Sequence, residues 1–221
     1  MSSADPLFSD AERERIREAV AAAETQTAGE IVPFVVRRSG EYAVATWRGA
    51  AVGALLAGAV ALGVSWLYDG WGWGWLYSAW AVALVMSLGG VAGALAALLD
   101  PVRRALAGTD LLDETVHRRA AVAFIDEEVF DTRDRTGILL FVSLFEHRIE
   151  VVGDAGINAK VDPEEWVEVV ALVRNGIVRG ALAEGLVAAI GRCGDLLHRS
   201  GVAIRPDDTD ELPDDVRVRD Q

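Results

Sequence analysis

The sequence predicts an α/β fold, a small sheet with helices on both faces, interrupted by a two-helix transmembrane hairpin. Two observations predict it. Helical and strand-like patterns succeed one another on either side of the chain centre, which implies a sheet covered on both faces. From Gly49 to Leu99 the only charged residue is Asp69. That local run explains how a chain of 221 residues reaches 52% hydrophobic content and a mean hydropathy of +0.24. Without it about 170 residues remain, enough for one domain with its own core.

The first predicted element is a helix. Ser9-Asp10-Ala11-Glu12 reads as a capping box, in which Ser9 bonds the third helical N–H and Glu12 reaches back. Ile16, Val20, Ala23 and Thr27 share one face, and Gly29 is placed to end the helix. Glu30–Arg37 reads as a strand. Pro33 within it cannot donate to a ladder, which predicts an edge position.

The hairpin follows. A helix needs about 20 apolar residues to cross a bilayer. Gly49–Tyr68 and Leu76–Leu99 each supply such a run, joined by the Gly- and Trp-rich turn Asp69–Trp75. Arg37, Arg38, Arg48, Arg103 and Arg104 flank the two ends away from the turn, and the turn carries no Lys or Arg. The positive-inside rule then puts the soluble domain in the cytoplasm, with two passes through the plasma membrane of a bacterium. Trp66, Tyr68, Trp71, Trp73, Trp75, Tyr77 and Trp80 suit an outer aromatic belt, and Trp47 marks the inner interface. Gly49, Gly53, Ala57 and Ala61 on one helix, with Gly89, Gly93 and Ala97 on the other, predict close helix packing. Neither span holds an ionisable group, so a pore is not expected.

Beyond the hairpin, a helix from about Asp110 to Phe130 is expected to bury Val122, Ile125 and Val129. Gly137–Phe145 is apolar throughout, as a strand buried on both faces should be. Glu146-His147 reads as a tight turn, and Arg148–Gly153 as the returning strand. Asp162-Pro163-Glu164-Glu165 is a helix start with an acidic cap and Pro in the first turn. Trp166, Val169, Val170, Val173 and Ile177 form its core face, and a last helix buries Leu182, Leu186, Ile190 and Cys193. The chain thus divides into residues 1–48, the hairpin 49–100, a second part of the domain 101–205, and an acidic stretch 206–221.

Charge narrows the function. The net charge is −13 with no basic stripe, which argues against a nucleic-acid partner. Seven acids after Pro206 face only Arg217 and Arg219, so that stretch is expected to be a solvated, weakly ordered end. One cysteine, Cys193, excludes an internal disulfide and a Cys-based zinc site. Ser2-Ser3-Ala4-Asp5 lacks the basic and apolar regions of a signal peptide.

Several segments taken together resemble the TPM-domain family. They are Glu24–Ile31 (ETQTAGEI), Arg135–Ser143 (RTGILLFVS), Glu150–Ile157 (EVVGDAGI), Pro206-Asp207-Asp208 and Asp210–Pro213. The likeness covers most of the chain outside the hairpin and is greatest to the bacterial branch, where a hairpin follows the first strand. It implies a three-layer α/β sandwich. The family is functionally mixed: some members are thylakoid-lumen proteins of photosystem II repair with weak acid phosphatase activity, and others bind calcium. An animal relative modulates a ligand-gated receptor at the membrane. Many members are exported, whereas the arginines here predict a cytoplasmic domain.

The loop Gly153–Asn158 is the candidate site, since α/β domains usually bind ligands in loops at strand ends. Asp154 would repel a phosphate, and no helix is expected to start directly after the loop. Oxygen donors suit a hard cation: Asp154, Asn158 and Asp162, with Glu30 brought near by the fold, could join backbone carbonyls around Ca²⁺ or Mg²⁺. The plainer reading makes Asp154 a turn residue, Asp162 a helix cap and Glu30 a surface acid. Ser143 lies in an apolar strand rather than a nucleophile elbow. His117, His147 and His198 lie in separate elements and form no ligand pair. The preferred expectation is therefore a non-enzymatic binding or assembly module, held by the lipid bilayer and acting on another membrane protein or complex. The alternatives are a divalent-metal-dependent phosphatase of low activity and a calcium-binding sensor.

Overall fold

A computed structural model describes residues 7–67, 78–204 and 211–220. The chain divides into two compact units, residues 1–39 with 115–221, and residues 40–114.

The first unit is built on a four-stranded sheet with helices on both sides. β1 (Glu30–Val36), β2 (Gly137–Ser143), β3 (Arg148–Gly153) and β4 (Arg217–Arg219) lie in the order β3-β2-β1-β4. β1 pairs in parallel with β2 from Glu30↔Gly137 to Val36↔Ser143. β3 returns antiparallel along β2, from Ser143↔Arg148 to Ile138↔Gly153. Both central strands are buried along their whole length. Their alternation sends side chains into two separate cores. Ile31 and Val35 of β1, with Ile138, Leu140 and Val142 of β2, face α1 (Asp10–Glu24), α7 (Val167–Val178) and α8 (Leu182–Arg199). Val32, Phe34 and Val36, with Leu139 and Phe141, face the α5 helix (Thr109–Asp126), and the Phe34 and Phe141 rings stack at 5.7 Å.

Several elements form as the sequence dictates. Ser9 caps α1: its N–H donates to Glu12 Oε2 (2.8 Å), and its Oγ accepts from Glu12 N–H (3.3 Å). Ile16, Val20 and Ala23 are the buried face of that helix, and Leu186, Ile190 and Cys193 of α8 are likewise fully buried. Asp162 caps the 3-10 turn Pro163–Trp166 in a second capping box, closed by Glu165.

Four expectations are corrected. The first concerns Pro33, which was expected to put its strand at an edge; β1 is instead a central strand. Glu30 N–H points toward β2, donating to Thr136 O, whereas Arg37 N–H points toward β4, donating to Arg219 O. Alternation puts the Pro33 nitrogen on the β4 side, and β4 pairs only with Phe34–Val36. The missing donor therefore falls where β1 has no strand partner on that side among the described residues. The second correction is the chain end: Glu211–Asp220 is not a free acidic tail. Leu212 and Val216 are buried, and β4 is held by Glu127, which pairs with Arg217 (3.4 Å) and Arg219 (3.1 Å). Leu212 and Val216, each directly after an acid, outweigh the charge run by their burial. The third concerns α5, which buries Val116, Ala120 and Ala123, while Val122 and Ile125 are 43% and 63% exposed. Of the three residues expected inside, Val129 alone is buried, beyond the helix end. Small alanines let α5 lie against β1 and β2, a face that a search for large side chains passes over. The fourth is the loop after β3, where a single-turn helix, α6 (Ala155–Asn158), starts directly at Asp154.

The second unit contains α2 (Ala43–Leu67), α3 (Ala79–Ala96) and α4 (Asp100–Ala107). α2 and α3 are long and apolar enough to cross a membrane, with 25 and 18 residues. At 1.5 Å per residue they span about 37 and about 27 Å, against about 30 Å of bilayer hydrocarbon. Only 6% of the most apolar window of each is buried. A helix apolar on every side with so little of it buried is not a soluble core helix, since water would meet a continuous apolar surface.

The two helices run antiparallel, packed through their small residues. A Cβ on Gly49 would lie 2.6 Å from Gly93 O, and one on Gly53 would lie 2.2 Å from Gly89 O. Ala57 Cβ would lie 2.4 Å from a Cβ on Gly89. Backbone contact at this range requires glycine, as the four-residue spacing predicts. The hairpin turn and most of the expected aromatic belt, with Tyr68, Asp69, Trp71, Trp73, Trp75 and Tyr77, lie outside the described residues. Trp66 is 86% exposed at the α2 end.

Candidate functional site

Two polar clusters occupy opposite ends of the β1–β2 pair. At the amino ends of these strands stand Glu30 and Asp154, on either side of Gly137. Glu30 pairs with Gly137 in the sheet, and Asp154 N–H donates to Gly137 O at 2.9 Å. The fold therefore brings Glu30, Asp154 and Asn158 to one end of the sheet, as expected, while Asp162 lies further along the chain as the 3-10 cap.

Each of these side chains already has work within the protein. Asp154 is 6% exposed. Its Oδ1 accepts from Ala155 N–H (2.7 Å), capping α6, and from Arg135 Nη2 (3.0 Å). Its Oδ2 lies 2.7 Å from Arg135 Nε, without a well-aligned hydrogen bond. Such a fork-to-carboxylate pair is the geometry an arginine favours. Arg135 itself is in the left-handed region at φ 58° and stacks over Phe130 at 5.8 Å. Asn158 Nδ2 donates to Gly153 O at 2.6 Å, closing the α6 turn. The Glu30 carboxylate accepts from the N–H groups of Glu211 and Leu212, both at 3.4 Å, and so fastens the chain end that leads into β4.

As a metal site this arrangement is poor. A Ca²⁺ ion takes six to eight oxygens, and carboxylates provide most of its charge compensation. Here Asp154 and Glu30 are both buried, the first matched by Arg135 and the second by two backbone N–H groups, and among the described residues no group of three His, Cys, Asp or Glu side chains is placed to hold a metal. Asn158 and Asp162 are exposed. What the cluster does is close the β3–α6 corner and seat the chain end.

The second cluster, which no sequence pattern pointed to, lies at the carboxyl ends of β1 and β2. Glu146, expected to be a turn residue, is 1% exposed. It accepts hydrogen bonds from Ser39 N–H (2.9 Å) and from the Ser143 hydroxyl, and the Ser39 and Ser143 hydroxyls are 2.7 Å apart. Ser39 is the last residue of the first unit before the chain leaves for the second. The cluster thus fixes the strand exit. The signal that could have found it is the polar trio Ser143, Glu146 and Ser39 at the ends of two otherwise apolar runs.

The histidines lie in separate elements, as expected. His147 is a turn residue at φ 55°, His198 is exposed, and His117 is exposed and 3.2 Å from Glu150. An open groove of about 450 Å³ between α7 and α8 is lined by Glu164, Glu165, Val167, Glu168, Arg192 and Arg199, with Arg192 paired to Glu168. It presents no nucleophile beside a base.

These features define a mixed α/β domain with a four-stranded sheet, interrupted by two helices able to cross a membrane. No family model matches the chain, and no curated protein matches it. The fold is similar to the NMR structure of the BA42 protein from the psychrophilic bacterium Bizionia argentinensis. The match covers 99% of this chain and 100% of that one, at 19% identity and a TM-score of 0.59. At that identity the likeness speaks for the fold alone.

Proposed function

We propose that this chain is a TPM-like, membrane-anchored, non-enzymatic module of a bacterial plasma membrane, whose cytoplasmic α/β domain binds or assembles another membrane protein. The observation that carries the reading is the pairing of β1, before the hairpin, with β2, after it, along seven residues. The apolar helices are therefore an insertion in the domain and not an appendage at one end. A domain that leaves and re-enters through its own anchor is tethered twice. A partner in the same membrane then meets it at high effective concentration, so a small interface suffices.

The cytoplasmic placement rests on the five arginines at the ends of the apolar runs. The phosphatase and calcium-sensor alternatives both need Asp154 to exchange Arg135 for a cation, and no observation favours that exchange. The test is purification in mild detergent from membranes cross-linked before lysis. A stoichiometric membrane partner, lost when the soluble unit is unfolded by a core substitution, is the expected result. Repeated recovery of the chain alone would overturn the reading.

A further inference from the structure

We propose that Arg48 and Arg103 each hold the phosphate of an anionic phospholipid headgroup at the foot of the hairpin, an inference that rests on the membrane-crossing reading of α2 and α3. Both belong to the second unit and stand at the level where the apolar spans end. A Cβ on Gly49, the neighbour of Arg48, would lie 2.9 Å from Ala97 Cβ, and Arg103 Nε donates to Ala97 O at 3.1 Å. Arg48 Nη1 donates to Leu106 O and Ala107 O, both at 2.8 Å, at the end of α4.

Main-chain carbonyls thus orient both guanidinium groups, and neither has a carboxylate partner among the described residues. The bonds use only part of each fork. Arg48 keeps the Nε–Nη2 edge and Arg103 keeps the Nη1–Nη2 end, each a pair of N–H donors at the spacing of two phosphate oxygens. Pre-orientation lowers the entropy lost on binding. The surroundings suit a lipid rather than a soluble phosphate. Trp47 is 77% exposed beside Arg48, and Leu98 and Leu99 are 54% and 60% exposed between α3 and α4. An indole and two leucines at the foot of an apolar hairpin match the junction of acyl chain and headgroup. A headgroup carrying its own amine would compensate its phosphate internally, so an anionic headgroup is favoured.

The test begins with alkaline extraction of membranes carrying the full chain. Release of the protein would remove the membrane reading itself, and this proposal with it. With the protein retained, it is purified in neutral detergent and offered equimolar phosphatidylglycerol and phosphatidylcholine, and bound lipid is counted by native mass spectrometry. At about fivefold per arginine, phosphatidylglycerol should be preferred about fivefold at each of two positions. Arg48→Gln and Arg103→Gln should each abolish that preference at one position and leave the other about fivefold. Equal retention of the two lipids by the unaltered protein would overturn the proposal whatever the variants do. So would displacement of phosphatidylglycerol by equimolar glycerol phosphate, or a wild-type preference in both variants.

Discussion

Asp154 shows how a residue chosen for its charge can be committed to the fold. A buried carboxylate is costly unless matched, and here the match is Arg135 together with the first N–H of α6. Asp154→Ala should lower stability by about 1–3 kcal/mol, read by denaturant unfolding, with Arg135→Ala similar in direction. If instead Ca²⁺ stabilises the unaltered protein and not the Asp154 variant, the ion pair is not the resting partner. Glu146 makes the same argument at the other end of the sheet. Glu146→Ala strips acceptors from the Ser143 hydroxyl and Ser39 N–H and should also cost about 1–3 kcal/mol in the same assay. Cys193 supplies a pH signature. Burial pushes its thiol up to about 12 from an ordinary 9.0. The native state therefore keeps a proton that the unfolded state gives up above pH 9.0, so this group makes stability fall as pH rises from 9.0 toward 12. Cys193→Ala should flatten that part of the stability–pH curve, and native Cys193 should resist maleimide until the protein unfolds.

Among the elements, the hairpin is the one that most directly translates sequence into packing. Gly53→Leu puts a side chain where Gly89 O stands 2.2 Å away, whereas Gly63 has nothing within 4 Å. In detergent, Gly53→Leu should lower the melting temperature sharply and Gly63→Leu should leave it unchanged; equal effects would mean the small residues do not set the helix contact. The capped starts at Ser9 and Asp162, the apolar β2 and the four-residue spacing of the hairpin were legible because each is a local signal with a local cause. The faults were non-local. Pro33 is tolerated in a central strand because β4, which comes from the far end of the chain, stops beside Phe34. The buried face of α5 is made of Val116, Ala120 and Ala123, chosen by the close approach of the sheet rather than by side-chain size. β4 is only three residues long, and charged neighbours mask it in a sequence pattern. The site was legible to the same degree. The fold gathers Glu30, Asp154 and Asn158 at one end as expected, but the partner that decides their chemistry, Arg135, is 19 residues from Asp154 and is brought to it by the β2–β3 register.

For the whole molecule, an α/β domain threaded by an apolar hairpin has one consequence that overrides its details: both pieces of the domain must lie on the same side of the bilayer, since β1 and β2 share one sheet. On the function proposed above, the positive-inside rule makes that side the cytoplasm. The direct measurement uses Asp195→Cys, at an exposed position late in α8, with the buried Cys193 silent. Cells expressing the full chain are treated with a membrane-impermeant maleimide before or after lysis, and the membrane fraction is analysed. The expected result is labelling of residue 195 only after lysis, in protein that stays with the membrane. Labelling in intact cells would contradict it, placing the domain outside and its partner with it.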